Sequence, residues 1–238
     1  KIINPKMGEK FKHTKLAEKN ALENIKLKNT SLDTHHKLLF GLKSLLTLNQ
    51  LPKRIEVYDN SHTFGQQSVG VMIVVNQEGF ETKSYRKFNI KFSQLDLQKS
   101  KLNDYYMLKE VLIRRFDKIG NEGEWSSPDI IIIDGGKGHL NIAKNIINKN
   151  KQNKIEVIAI AKGQNRNSGK DIVYYKKQSK LLSNKDDLSH FIQRIRDEAH
   201  RFAINSHRKR RARDAIKSVF DEIQGIGAKR KKILLHHF

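Results

Sequence analysis

Three aspartates stand where predicted strands and a predicted helix could bring carboxylates together. Asp59 lies inside the strand-like run RIEVYDNS, Asp134 ends the apolar run DIIIID, and Asp104 lies in the first turn of a predicted helix. Functional sites in α/β sheets gather at the carboxyl edge of the strands. If the first strand is central and the strand ending at Asp134 pairs beside it, Asp59 and Asp134 come side by side.

Such a pair of acids predicts a site for metal ions. Two neighbouring carboxylates repel each other unless a cation lies between them. Hard divalent cations such as Mg²⁺ or Mn²⁺ prefer oxygen ligands. In phosphodiester cleavage, paired ions roughly 3.5–4 Å apart activate water and stabilise the leaving oxygen. A carboxylate in the middle of a strand that should fill a core is therefore explained by a metal cradle.

Each of these residues also has a structural interpretation. Asp104 could be an ordinary acid at a helix N-terminus, Asp134 could be a turn residue before two glycines, and Asp59 could bond to a lysine or mark a bulge. His200, in IRDEAHRFAI, borders an apolar helix face, where a lone histidine is more often structural than catalytic. The run DGGKGH lacks the Ser or Thr that follows the lysine of a P-loop, which excludes a nucleoside triphosphate site of that kind.

The charge of the chain favours a polyanionic partner. The 238 residues carry 47 Lys and Arg against 25 Asp and Glu, a net charge of +22. A field of that sign attracts nucleic acid and releases its counterions.

The absence of cysteine fits a reducing cytoplasm and leaves only oxygen and imidazole ligands for a metal. There is no apolar run long enough for a membrane helix and no apolar signal core, and the first residue is not Met, so we expect a fragment of a longer chain without membrane association.

The periodicity predicts an α/β order of elements. A Lys-rich lead-in helix and a second helix over HHKLLFGLKSLLTLN precede three strands joined by short turns, which suggest an antiparallel meander. A helix, a buried strand, a helix after the Gly-rich turn and another buried strand follow. A possible hairpin around DIVYYKK, a long amphipathic helix and a small helical module complete the chain. The uninterrupted apolar strands should be covered on both faces.

The basic tail contains candidate contacts to a phosphate backbone. In IQGIGAKRKKIL the turn at Gly225 and Gly227 lets backbone N–H groups approach a phosphate, and Lys229 and Arg230 add charge. A plain turn with a glycine cap remains an alternative. The basic run with Arg208, Arg210 and Arg211 is either a phosphate track or a solvated linker. The residues expected near the acids that could contact a bound strand are Lys137, Arg196 and Arg201.

Five segments, taken in order, resemble the C-terminal half of the UvrC family. They are IEVYDNSH, NDYYMLKEVLIRRF, PDIIIIDGGKGHL, IRDEAHRFAI and IQGIGAKRKKILLHHF, and the resemblance extends from about residue 5 to the end. It implies a ribonuclease H-like mixed sheet flanked by helices, followed by the first helix-hairpin-helix element. It also implies a cut on the 5′ side of a DNA lesion, with Asp59, Asp104, Asp134 and His200 as the catalytic and metal-binding set.

These observations lead to one functional hypothesis and two alternatives. We expect a helical lead-in at residues 1–50, an endonuclease domain at 51–210 and a partial helix-hairpin-helix module at 211–238. The expected activity is Mg²⁺- or Mn²⁺-dependent incision of damaged duplex DNA in bacterial nucleotide excision repair, on a UvrB–DNA complex engaged through the full-length protein. The alternatives are another nuclease or resolvase on the same fold, and a basic DNA-binding module without chemistry.

Overall fold

One mixed β-sheet carries helices on both faces in this computed structural model, which describes residues 5–61, 68–90, 100–119, 125–162, 171–183, 186–220 and 233. The helices are α1 (Gly8–Leu46), α2 (Ser100–Phe116), α3 (Lys137–Lys149) and α4 (Asp187–Phe220). The strands are β1 (Arg54–Ser61), β2 (Ser68–Asn76), β3 (Gly79–Phe80), β4 (Arg86–Ile90), β5 (Ile130–Asp134), β6 (Glu156–Lys162), β7 (Asp171–Tyr175) and β8 (Gln178–Leu181).

The centre of the sheet is parallel and its flanks are antiparallel. The strand order is β3-β2-β1-β5-β6-β7-β8, with β4 also paired to β2. Strands β1, β5 and β6 run parallel to one another, whereas β2, β7 and β8 run antiparallel to their neighbours. Strand β1 is therefore central and β5 pairs directly beside it. This is the strand order on which the predicted approach of Asp59 to Asp134 depends.

The two faces of the sheet support separate cores, as the uninterrupted apolar strands predict. Alternate residues of β5 point to opposite faces. Ile131 and Ile133 pack with apolar residues of α2 and α3. Ile130 and Ile132 pack with apolar residues of α1 and α4. All four isoleucines are buried, so the hydrophobic effect holds helices on both sides of this strand.

The lead-in segment differs from its prediction, because the two expected helices form one helix. Helix α1 continues for 39 residues, and the sequence has neither Pro nor Gly between residues 9 and 40 to interrupt it. It ends at Leu46, and the residue after it, Thr47, has a left-handed φ of 54°. Its first turns are exposed, but Leu39, Leu42 and Leu46 are buried in the sheet core. The end of the segment expected to be a lead-in therefore belongs to the core of the sheet.

The strand predictions are largely correct. Beyond the predicted meander the structure contains β3, which continues β2 through a tight turn and pairs Asn76 with Gly79. Gly79 has a φ of +125°, a conformation that residues with a side chain avoid. The hairpin predicted around DIVYYKK is formed by β7 and β8. Helix α2 begins at Ser100, three residues before its predicted start, so Asp104 does not lie in the first turn.

Helix α4 extends beyond the amphipathic segment from which it was predicted. Its buried apolar positions include Phe191, Ile192, Ile195 and Ala199, as the spacing indicates. The backbone remains helical to Phe220, so the domain boundary expected at residue 211 falls inside this helix. The helix-hairpin-helix glycines and the following basic residues lie outside the described part of the chain. Among the described helices, none is long and apolar enough to cross a membrane.

A glycine at the contact between β2 and α2 provides a stability test. A Cβ on Gly70 would overlap the side chain of Val111, which is fully buried. We expect Gly70→Ala to lower the free energy of unfolding by about 1–3 kcal/mol, the usual cost of overpacking. In the control, a Cβ on Gly41 would meet Leu188 at 3.8 Å, an ordinary contact. Gly41→Ala should therefore be neutral or stabilising by up to about 1 kcal/mol in urea denaturation.

Candidate active site

Asp59 and Asp134 lie side by side at the carboxyl edge of the central strands. Strands β1 and β5 are parallel with Tyr58 level with Ile133, so the next residues along each strand are the two aspartates. Asp59 and Asp134 lie two residues after Val57 and Ile132, whose side chains pack with α1 and α4, and residues two apart in a strand point to the same face. The two carboxylates therefore lie on the same face of the sheet, on neighbouring strands.

The environment of Asp59 disfavours its charge. Asp59 is only 7% exposed, and Oδ2 lies 3.3 Å from Nδ1 of His200. Burial raises the pKa of Asp59, and the nearby negative charge of Asp134 raises this pKa further. His200 and Arg196 oppose the rise. The folded protein thus holds a carboxylate where ionisation is costly, a property that is common at functional sites.

Asp134 is held by an arginine that also binds a second acid. Arg196 donates from Nη2 to Oδ1 of Asp134 at 2.8 Å and from Nη1 to Oδ2 of Asp171 at 2.9 Å. Burial lowers the pKa of Arg196, but the carboxylates of Asp134 and Asp171 more than offset it, so the net shift of this pKa is upward. The guanidinium is therefore a fixed positive charge between two strands.

Helix α4 supplies the hydrogen-bond partners of both aspartates from adjacent turns. Arg196 and His200 are four residues apart, so they lie one turn apart on the same side of the helix. Ile195 and Ala199, beside them, are buried against the sheet and fix the rotation of the helix. The amphipathic spacing read from the sequence thus places Arg196 over Asp134 and His200 over Asp59.

Asp104 approaches the same edge from the opposite face of the sheet. Helix α2 packs through Met107 and Leu108 on the face that does not carry the aspartate pair. Burial lowers the pKa of His139, whereas the charges of Asp104 and Asp134 both raise it. The net shift of this pKa is downward, and His139, in α3, is the described residue on which both Asp104 and Asp134 act.

Two glycines after Asp134 make room for the aromatic rings of His139 and Tyr105. A Cβ on Gly138 would overlap the hydroxyl of Tyr105, and a Cβ on Gly135 would lie 2.6 Å from the His139 ring. The rings of Tyr105 and His139 are 4.7 Å apart. Two of the three glycines of DGGKGH thus allow α2 to approach the start of α3, and their presence needs no nucleotide site.

The residues predicted to contact DNA occupy different environments. Lys137 is exposed at the first position of α3. Arg201 is 62% exposed and forms an ion pair with Glu198 at 2.7 Å. Arg196 is mostly buried, with its two carboxylate partners. Arg208, Arg210 and Arg211 belong to the helical backbone of α4, whereas Gly225, Gly227, Lys229 and Arg230 lie outside the described residues.

Sequence reasoning missed Asp171 and His139. Strand β7 is antiparallel to β6, so Asp171, its first residue, pairs with Lys162 at the carboxyl end of β6. The local sequence places Asp171 at the start of a strand but does not show that this strand runs back along the parallel sheet. For His139, the available signal was its place in the Gly-rich run DGGKGH, directly after the strand that ends at Asp134.

The donor set fits a hard cation that needs few protein ligands. Mg²⁺ commonly binds through one or two carboxylates, with water and substrate phosphate completing its coordination. Asp59 and Asp134 provide such a pair, and His200 adds an imidazole beside Asp59. Within the described ranges, no group of three or more Asp, Glu or His side chains is already gathered at metal-ligand spacing. The protein therefore offers an open pair of carboxylates and not a closed cage.

A mixed sheet with parallel central strands, acids at their carboxyl edge and a helix supplying a histidine over them defines a ribonuclease H-like domain. Among family models, the one described as UvrC RNAse H endonuclease domain matches residues 43–204. The chain therefore belongs to this family, as the resemblance of its motifs implies.

Curated relatives named UvrABC system protein C align with the whole chain. The protein of Nitrobacter winogradskyi is 40% identical over 250 residues, which cover 100% of this chain and 36% of the relative. That of Caulobacter vibrioides is 42% identical over 242 residues, which cover 100% of this chain and 37% of the relative. The chain thus spans little more than a third of the length of these relatives.

The solved structures are more distant. A Ciona intestinalis Endonuclease V in complex with a 23mer DNA containing an inosine aligns with a TM-score of 0.34 and 12% identity, over 59% of this chain and 58% of that one. A similarity this low supports no comparison of sites. The family membership rests on the sequence matches alone.

Proposed function

We propose that the chain is a divalent-metal-dependent DNA endonuclease domain. It makes a single-strand incision on the 5′ side of a lesion during nucleotide excision repair. The observation that carries this proposal is the juxtaposition of Asp59 and Asp134 on one face at the carboxyl edge of the sheet. Membership of the UvrC endonuclease domain family and a net charge of +22 support DNA as the substrate.

The two aspartates hold the cation and set its position. Bound there, Mg²⁺ or Mn²⁺ supplies charge stabilisation of the phosphate and activation of the attacking water. Asp59 needs such a partner because burial and Asp134 both oppose its ionisation. Asp134 is oriented by Arg196, which occupies one of its oxygens. Asp104 completes the set from the α2 side of the edge, where its charge reaches His139.

His200 is suited to exchange a proton with solvent or to bind the cation. Its side chain is 60% exposed, and Nδ1 faces Asp59 at 3.3 Å. The carboxylate fixes the orientation of the ring, as second partners of catalytic and metal-binding histidines do. Solvent exposure leaves the ring accessible to a bound cation or to water.

The DNA partner is a damaged duplex, presented by a UvrB–DNA complex to the full-length protein. Lys137, at the start of α3, follows Asp134 by three residues and is exposed, so it can contact a strand that reaches the acids. Arg201 lies one residue beyond His200 on α4. The remaining basic residues of α4 and the helix-hairpin-helix turn hold the duplex further from the cut, through its phosphates.

An incision assay tests this function directly. A duplex carrying one lesion in a short bubble, labelled at its 5′ end, is incubated with the chain and Mn²⁺ or Mg²⁺. We expect one labelled product, cut on the 5′ side of the lesion, that is lost when EDTA replaces the metal. Removing the cation leaves the aspartate pair uncompensated and takes away the group that activates water.

Two further substrates separate this function from its competitors. A four-way junction, cut in preference to the bubble, would identify a resolvase. Binding to both substrates without cutting at any metal concentration would identify a DNA-binding module. An undamaged duplex of the same sequence serves as the control for nonspecific cleavage.

A further inference from the structure

Arg196 bridges acids from two different strands. Asp134 ends β5 and Asp171 begins β7, with β6 between them. The guanidinium reaches the first at 2.8 Å and the second at 2.9 Å, and the side chain of Arg196 is 11% exposed. Its fork of donors can span two carboxylates, which a lysine ammonium cannot do in the same geometry.

This bridge places the positive charge of Arg196 beside two carboxylates, Asp59 and Asp134, that would otherwise need a metal ion to offset their repulsion. Asp59 and Asp134 lie on adjacent strands and repel each other. Arg196 compensates part of that negative charge, but it does so by occupying Oδ1 of Asp134. A cation that binds the aspartate pair must therefore compete with Arg196 for Asp134.

Asp171 decides how strong that competition is. A mostly buried guanidinium is costly to leave without an anionic partner. When Arg196 gives up Asp134, its hydrogen bond to Asp171 still leaves it one anionic partner, which matters because its Nε is already buried without a hydrogen-bond partner. Asp171 is 13% exposed at its side chain, against 33% for Asp134, so it is the better shielded of the two partners. Without Asp171, Arg196 would have Asp134 as the one remaining carboxylate of this bridge and would be harder to displace from it.

We propose that Arg196 is an internal counter-cation of the aspartate pair and that Asp171 is a positioning residue, which retains Arg196 when Asp134 turns to a divalent cation. This inference rests on the proposed function, because it concerns the same pair of acids. It assigns Asp171 a role in metal binding without contact to the metal or to DNA.

Removing Asp171 is expected to weaken metal binding. In Asp171→Asn the guanidinium keeps Asp134 as its charged partner and holds it more tightly. We expect the affinity for Mn²⁺ to fall by about tenfold or more, in the range seen when the partners of metal ligands are lost. Asp171→Glu retains the charge and should bind Mn²⁺ with an affinity close to the parental value.

Removing Arg196 is expected to have the opposite effect. Arg196→Gln takes away the competing cation, so the affinity for Mn²⁺ should equal or exceed that of the parent. The double variant Asp171→Asn/Arg196→Gln should also bind at least as tightly as the parent, because Asp171 acts through Arg196. Such a reversal in a double-mutant cycle is the sign of a shared path.

The experiment measures Mn²⁺ binding to the metal-free 238-residue chain by titration calorimetry, with thermal unfolding to establish that each variant is folded. Glu156→Gln is the matched control. Glu156 lies on β6, level with Ile130 at the other end of the sheet, and pairs with Lys176 at 3.5 Å. It should leave Mn²⁺ affinity unchanged.

Each result decides between the inference and the function on which it rests. If the parent binds no Mn²⁺ at a site that requires Asp59, both fail. If the parent binds Mn²⁺ but Asp171→Asn binds it equally well, the inference alone is wrong. The same holds if Asp171→Asn weakens binding equally with and without Arg196. Should Asp171→Asn not fold, weaker binding by Arg196→Gln would still overturn the inference, because that variant lacks the proposed competitor.

Discussion

The Asp59→Asn variant should incise lesion-bearing DNA about 10²–10³-fold more slowly than the parent, or not measurably. The amide keeps the size of the side chain but removes the charge that holds the cation at the carboxyl edge of β1. Loss of one preorganised group that stabilises charge in a transition state costs rates of this order. The comparison is made in single-turnover incision assays with Mn²⁺ or Mg²⁺ at saturating protein.

The same variant should remain folded and should still bind DNA. Because burial and Asp134 raise the pKa of Asp59 in the folded protein, its ionised form is less favourable there than in the unfolded chain. This penalty is present above the folded-state pKa and disappears as the pH falls through it. Asp59→Asn should therefore be at least as stable as the parent at pH 7, with a smaller difference in acid.

Urea denaturation at neutral and at acidic pH measures that difference, and a filter-binding assay measures DNA affinity in EDTA. A variant that incises DNA at the parental rate would disprove the role of the aspartate pair. A variant that loses both incision and DNA binding would point to a defect in folding, and the denaturation curves would reveal it.

Much of the site could be anticipated because it depends on strand order. An acid within a central strand and an acid at the end of the next parallel strand must meet if their registers agree, and β1 and β5 do agree. His200 was expected in the site through the resemblance to the UvrC family, and the buried Ile195 and Ala199 show the helical face beside which it lies. Its pairing with Asp59 then needs only that α4 crosses the sheet edge.

The bridge between Asp134 and Asp171 could not be anticipated in the same way. It depends on which way β7 runs and on the side-chain reach of Arg196, and neither is encoded in local periodicity. Helix α1 was predicted as two helices because its pattern of apolar residues changes where the helix begins to pack against the sheet. The helical backbone continues through that point without interruption. Hydrophobic periodicity shows which face of a helix is buried, so a change in that periodicity does not by itself mark the end of the helix.

A buried charge network joins the strand of Asp59 to the helix of Asp104, and local sequence gives little sign of it. Glu56 accepts hydrogen bonds from Arg54 at 3.0 Å, from Tyr58 at 2.7 Å and from Arg115 at 2.7 Å. Glu56 and Arg115 are both 0% exposed. Arg115 also donates to the backbone carbonyl of Ser126 at 2.6 Å. The network thus fastens the end of α2 to β1.

Arg115→Met should reduce the free energy of unfolding by about 3–5 kcal/mol, because it leaves a buried carboxylate without its main partner. Methionine retains the apolar bulk, so the loss reports charge and hydrogen bonds more than volume. Urea denaturation at pH 7 measures it. The control is Glu18→Gln, which breaks an exposed pair with Lys15 on α1 and should change stability by less than about 1 kcal/mol.

A double variant separates the charge network from the packing around it. Glu56→Gln/Arg115→Met removes the two fully buried charges and leaves Arg54, so it should lose less stability than the sum of the two single changes, by the coupling expected of contacting residues. The carbonyl of Ser126 remains without its donor in either case, which prevents full recovery. Strictly additive losses would mean that Glu56 and Arg115 stabilise the fold independently, and the junction of α2 with β1 would then depend on its apolar contacts.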